Sequence, residues 1–250
     1  LRYFIQFSYF GTAYHGWQKQ PNAVTVQSVL EGVFSKLLRA EVSLMGAGRT
    51  DAGVHAEQMY AHFDAKPIRD IVDMVYRLNA FLPDDIAVQN IWEVQEDAHA
   101  RFDATERTYE YWVTQEKNVF LTTGAHYVRH RLDVDGMNTA AALLLRHTDF
   151  ECFSKSNTEV KTFRCDVKHA KWERQDAKLV FKITADRFLR NMVRAVVGTL
   201  LEVGRGQQNE AGVQRILDSK DRREAGTSVP AKGLYLTKIR YPKNTFSSHE

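Results

Sequence analysis

Cysteine is nearly absent from this chain: Cys152 and Cys165 are the only two in 250 residues. Two thiols do not make a disulfide framework, and they read as reduced, buried side chains of a cytoplasmic protein. Long apolar runs are missing too, and none approaches the ~20 residues of a membrane span. The opening LRYFIQFSYF has no basic segment leading into a long apolar stretch, so no export signal is read in it. Metal-ligand spacing is equally scarce. His126 and His130 stand four apart in HYVRH, which reads as extended, without the second pair of ligands that a zinc site needs. No metal is expected.

What is present is the composition of an ordinary globular protein, 44% hydrophobic and 26% charged. The length suits one large domain or two small fused ones. Net charge is only +3, but it is unevenly spread. Residues 1–100 carry 8 Lys and Arg against 12 Asp and Glu, and residues 101–250 carry the remaining 26 against 19. The basic second half is compatible with a polyanionic partner, and equally with a lopsided solvated surface.

Periodicity gives the elements. Tyr3, Ile5 and Phe7 alternate through a strand over 2–9, and a turn-rich loop, GTAYHGWQKQPN, follows. Thr25 caps a helix on which Val26, Val29, Leu30, Val33, Phe34, Leu37 and Leu38 keep helical spacing. A short strand is expected over 42–46. A third strand carries Met59, Ala61 and Phe63. A second helix is marked by Ile68, Ile71, Val72, Val75 and Leu78 and stops before Pro83. Residues 86–94 alternate again. The second half repeats this order. A strand covers 106–114, and Asp135 or Asp133 caps a helix with Met137, Ala140, Ala141, Leu144 and Leu145. Strands near 162–174 and 178–186, an apolar helix from about Phe188 to Val203, an added helix at 209–218 and a last strand at 234–241 complete it.

The expected fold class is therefore α+β: two fused ferredoxin-like β-α-β-β-α-β units forming one broad, mostly antiparallel sheet with helices on one face. The expected domains are 1–100 and 101–243, the second with insertions, followed by a mobile tail over 244–250.

Gly46 to Ala56 is the most informative stretch. It begins Gly-x-Gly, but Asp51 stands where a dinucleotide-binding turn needs its third glycine, and strand rather than helix follows. A carboxylate there would repel a pyrophosphate. Gly46, Gly48 and Gly53 instead allow sharp turns and the close approach of a large ligand. Between them stand Arg49, Thr50 and Asp51, which cannot be buried cheaply without partners. Chemistry alone leaves two readings open: a functional carboxylate, or a tight turn in which Asp51 caps its own backbone.

The stretch GRTDAGVHA, 48–56, resembles residue for residue the active-site segment of the tRNA pseudouridine synthase A family. AHARFDATERTYEYWV at 98–113, DFECF at 149–153, FLRNMVRAVVGTLLEVGRG at 188–206 and GLYL at 233–236 match further family elements in the same order. The resemblance spans nearly the whole chain. One departure is SVPA at 228–231, where the family tends to show TAPA.

The resemblance implies an isomerase that breaks the ribose C1′–uracil N1 bond, turns the base, and joins C1′ to C5, without cofactor or metal. It assigns Asp51 as the essential carboxylate, acting either by attack on a sugar or base carbon or by taking the ribose 2′ proton. Arg194, on an otherwise apolar helix, matches the arginine that pairs with that aspartate. Tyr109 matches the active-site tyrosine, whose ring stacks on the target uracil. Tyr111 shares its strand face and is the residue most easily mistaken for it. Arg49 matches the arginine associated with base flipping. Arg69, His99, Arg101, Lys155 and Leu234 complete the implied substrate contacts. The implied partner is the tRNA anticodon stem-loop at positions 38–40, held by a cytoplasmic homodimer.

Two other classes compete. A non-catalytic RNA-binding protein built from two RRM-like units would carry the RNP1 pattern, which neither half contains. A metal-dependent nuclease would need clustered carboxylates, and Asp51 has no acidic neighbour closer in sequence than Glu57.

Overall fold

The computed structural model describes residues 1–155 and 160–246. The chain is α+β, with nine strands and five α-helices among those residues, and its strands pair mostly antiparallel. It divides into two compact units, Leu1–Thr105 with Leu236–Glu250, and Glu106–Tyr235. The first half of the chain runs β-α-β-β-α-β, the expected ferredoxin-like order, and the second runs β-β-α-β-β-α-α-β, the same order with one strand and one helix added.

The first unit holds β1 (Arg2–Tyr9), α1 (Val26–Leu38), β2 (Met45–Gly46), β3 (His55–Asp64), α2 (Ile71–Phe81), β4 (Ile86–Val94) and most of β9 (Leu234–Arg240). Its strands lie in the order β4-β1-β3-β9, with β2 also on β3. Tyr3, Ile5, Phe7 and Tyr9 are all buried, as alternation along β1 predicts. Tyr3 stacks on Phe63 of β3, which meets Phe34 of α1 edge-on at 5.0 Å, so α1 covers this face. Thr25 caps α1 by accepting from the Ser28 N–H, and Ser28 reciprocates. The opposite face carries Phe4, Tyr60 and Trp92, and Phe246 packs against all three. Residues 247–250 of the expected tail lie outside the described residues.

The second unit holds β5 (Glu106–Thr114), β6 (His126–Tyr127), α3 (Val134–Ala141), β7 (Val167–Gln175), β8 (Lys178–Ala185), α4 (Met192–Gly204) and α5 (Glu210–Ser219). Its strands are ordered β5-β8-β7, and β6 adds to β5 in parallel. Asp133, not Asp135, caps α3. The α4 side chains are buried along almost the whole helix, which is why its sequence is apolar all round.

Several boundaries differ from the periodicity, each for a local reason. Only Met45 and Gly46 of the strand expected over 42–46 pair with β3. Leu44 instead gives its N–H to the Glu31 carboxylate and its carbonyl to the Gln27 amide, so side chains of α1 occupy its backbone. Ile68 donates its N–H to the Tyr3 hydroxyl, and α2 starts only after its cap, Asp70. Residues before Val167 pair elsewhere: Cys165 N–H donates to the Thr148 carbonyl, and Arg164 bridges to Asp149. Asn191, at φ 66°, breaks the helical path, so α4 begins at Met192 rather than Phe188.

Candidate active site

The loop from Gly46 to Ala56 is built around two buried polar residues, Thr50 at its centre and His55 at its end. The Tyr9 hydroxyl lies 2.8 Å from Thr50 Oγ1, and the Trp17 N–H donates to the Thr50 carbonyl at 3.2 Å. Gly16, at φ 85°, presses on that same carbonyl, where any side chain would collide. Trp17 is in turn fully buried, stacked on Phe7, and packed on Gly46. The turn closes with the Val54 N–H donating to the Asp51 carbonyl, and Gly53, at φ 77°, donates its N–H to the Tyr14 carbonyl. His55 anchors the far end: its Nδ1 accepts from the Gly11 N–H, and its ring stacks on Phe10 at 4.0 Å.

This framework settles what each side chain offers. Thr50 faces inward and is held from several directions. Arg49, exposed, and Asp51, half-buried, flank it on a fixed backbone. A side chain at Gly48 would meet nothing within 4 Å, so the loop beside them lies open. A carboxylate held on a rigid turn next to open space is suited to act on a bound group rather than to fill a core.

In the same unit, Arg69 is exposed just before the α2 cap. His99 and Arg101 share a second turn. His99 Nδ1 accepts from the N–H groups of Arg101 and Phe102, and its own N–H donates to Asp103. Its ring meets buried His62 at 4.6 Å, and His62 Nδ1 accepts from the Ala100 N–H. Burial, reinforced by the facing His99, pushes His62 down to about 4, and burial also lowers His99 below its ordinary value. His99 is therefore neutral at pH 7 and serves this turn rather than supplying a cation. Arg101, exposed, lies over the ring of exposed Phe102.

In the second unit, Tyr109 and Tyr111 share one face of β5 but differ sharply. Tyr111 is fully buried and donates to the Pro230 carbonyl at 2.8 Å, and burial raises its pKa. Tyr109 is half-buried, with Phe188 edge-on at 5.2 Å. Arg194, on the first turn of α4, donates from Nε to the Val229 carbonyl at 2.8 Å. It therefore reaches the SVPA segment that Tyr111 also holds. Leu234 is buried at the start of β9, and Lys155 is exposed. Sequence reasoning does not single out Tyr9, Trp17 or Arg222, which hold these groups, and marks Ser228 only as part of the SVPA departure. Only the turn-rich setting of Trp17 and the departure at SVPA hinted at them.

Cys152 and Cys165 are free and buried, and burial pushes both thiols up to about 12. No group of three or more His, Cys, Asp or Glu is placed to hold a metal ion among the described residues. No helix among them is long and apolar enough to cross a membrane.

A family model described as tRNA pseudouridine synthase matches residues 5–103 and 140–242. The tRNA pseudouridine synthase A of Bacteroides thetaiotaomicron is 51% identical, over 98% of this chain and 93% of its own length. That of Parabacteroides distasonis is 50% identical over 98% of both chains. That of the more distant Acetivibrio thermocellus is still 40% identical, over 93% of this chain and 96% of its own.

Proposed function

This chain belongs to the tRNA pseudouridine synthase family, and on that premise we propose that Asp51 is the essential carboxylate of a reaction at positions 38–40 of the tRNA anticodon stem-loop. The protein is an isomerase that converts uridine to pseudouridine in tRNA. The bond between C1′ and N1 breaks, the bond between C1′ and C5 forms, and the C5 proton leaves while N1 regains one. Nothing is oxidised or reduced, so the atoms balance without a cofactor.

One observation carries the assignment to Asp51: the chain spends Tyr9, Gly16 and Trp17 on fixing Thr50, which sets the direction of its neighbour. Preorganising one charged group beside a sugar is what either route, attack on carbon or removal of the 2′ proton, requires. Tyr109 stacks on the uracil, and Arg194 serves as the counter-charge to Asp51. Arg49 assists extrusion of the base, while exposed Arg69, Arg101 and Lys155 contact phosphates. Leu234 and the turn built on His99 shape the substrate surface. The working form is a cytoplasmic homodimer.

The test is tritium release from tRNA labelled at uracil C5, for wild type and Asp51→Asn, without added metal or cofactor. Release by wild type and none by the variant is expected. Release by Asp51→Asn removes that residue from the chemistry. Binding of tRNA by wild type without release from any tRNA returns the chain to a non-catalytic RNA-binding role. Release confined to tRNAs with uridine at 38, 39 or 40 fixes the target.

A further inference from the structure

Asn191, Arg194, Ala195, Gly198 and Thr199 fall at i, i+3, i+4, i+7 and i+8, one stripe leading along α4. The segment from Gly226 to Val229 lies along this stripe in the opposite direction. Gly226 donates its N–H to Thr199 Oγ1 at 2.9 Å, and that hydroxyl donates to the Ala195 carbonyl. The Thr227 carbonyl rests on Gly198, where no side chain fits. Ser228 Oγ accepts from the Asn191 amide at 2.6 Å and from Arg222 Nη2 at 2.9 Å. Arg222 Nη1 also holds the carbonyls of Ala225 and Gly226. Val229 donates its N–H to the Arg194 carbonyl and accepts from Arg194 Nε.

These contacts end on one side chain. Arginine is planar, so tying Nε to Val229 fixes the plane of the guanidinium and the direction of its two Nη ends. Val229 can do this only if its carbonyl is itself fixed. The residue before it, Ser228, is pinned from two sides by groups with no other evident duty. Asn191 sits at φ 66° at the start of α4 and uses its side chain on Ser228 instead of capping the helix. Arg222 makes three hydrogen bonds, all to this segment or its lead-in.

We propose that residues 226–229 form a strap that aims the Arg194 guanidinium, with Ser228, Asn191 and Arg222 as positioning residues. The proposal rests on the reading that Arg194 serves the reaction. The reaction then depends on a hydroxyl that touches neither substrate nor the reacting atoms.

The experiment is a double-mutant cycle on tritium release, with kcat and KM for tRNA measured separately and melting recorded for every variant. Ser228→Ala is expected to lower kcat by about tenfold, as small misplacements of a catalytic group do, with KM and melting unchanged. Ser228→Thr, which keeps the hydroxyl, restores kcat. Arg194→Lys keeps the charge but not the planar fork, and it too lowers kcat. In that background Ser228→Ala has no further effect, because the group it aims is gone. Independent, multiplying effects overturn the strap, as does a Ser228→Ala variant with normal kcat beside an impaired Arg194→Lys. Full activity in Arg194→Lys removes Arg194 from the site and the proposal with it. If Ser228→Ala melts early, Arg222→Lys carries the same cycle, since lysine cannot span Ser228 and two carbonyls at once.

Discussion

Asn79 of α2 and Val88 of β4 hold each other by two hydrogen bonds: the amide donates to the Val88 carbonyl and accepts from its N–H, both at 2.8 Å. Asn138 of α3 does the same for Trp172 of β7, at 3.1 and 2.7 Å. In each unit the strand is the outermost of its order. One helix side chain thus satisfies both backbone groups that an edge strand would present to another chain. Asn79→Ala and Asn138→Ala should each destabilise by about 1–3 kcal/mol. Each Asp variant keeps the acceptor and should fall between wild type and Ala. Urea unfolding at pH 7 measures the ranking, and equal stability of Asn and Ala variants would refute it.

Trp17 and Gly46 give the second prediction. A Cβ on residue 46 would stand 2.5 Å from the indole Nε1. Trp17 cannot retreat, because Phe7 lies against its other side at 5.3 Å. Gly46→Ala should cost about 1–3 kcal/mol through overpacking. It should also lower kcat, because displacing the Trp17 side chain disturbs its backbone N–H, which holds the Thr50 carbonyl beside Asp51. Denaturant unfolding and tritium release on one preparation test both. Loss of stability with full activity would show that the loop does not depend on Trp17 for its aim.

The elements and the candidate loop are legible because they obey short-range rules. Alternation marked β1, β4 and β5, helical spacing marked α1, and three glycines around Arg49-Thr50-Asp51 marked the loop. What escaped depends on partners distant in sequence. Nothing in Leu44 announces that Glu31 and Gln27 will take its backbone. Nothing in Asn191 announces a left-handed residue whose amide reaches Ser228. SVPA drew attention only as a departure from a family pattern, and its hydrogen bonds to Tyr111 and Arg194 give that departure a place in the structure.

His62 makes stability depend on pH. Folding lowers it from an ordinary 6.5 to about 4, chiefly by burial, with the neighbouring His99 and Arg2 adding to the shift. The unfolded chain therefore binds the extra proton between those two values. Stability from this residue is complete above pH 6.5 and lost as pH falls toward 4. At about 1.4 kcal/mol per pH unit, the loss amounts to about 3.5 kcal/mol at most. His62→Gln, which keeps an acceptor for the Ala100 N–H and cannot titrate, should flatten the profile between pH 6.5 and 4.5. An unchanged profile in the variant would assign the acid sensitivity to other groups.

Tyr109 and Tyr111 test whether the strand face has been divided correctly. Two residues apart on β5, they have similar chemistry and different surroundings. The Tyr111 hydroxyl is spent on Pro230, and a side chain on Gly233 would press on its ring. Tyr111→Phe should therefore cost about 1 kcal/mol of stability, the worth of one buried hydrogen bond. It should cost little kcat, because the strap keeps its contacts to Asn191 and Arg222. Tyr109 is half-buried with Phe188 edge-on to its ring, and on the proposed reading its hydroxyl assists loss of the C5 proton. Tyr109→Phe keeps the stacking ring and should leave melting unchanged while lowering tritium release by about 10²–10⁴-fold, the usual range for a lost acid–base group. Tyr109→Ala should add a loss in substrate binding. If Tyr111→Phe proves the inactive variant and Tyr109→Phe the unstable one, the two residues exchange roles, and the bond to Pro230 becomes part of the chemistry rather than of the fold.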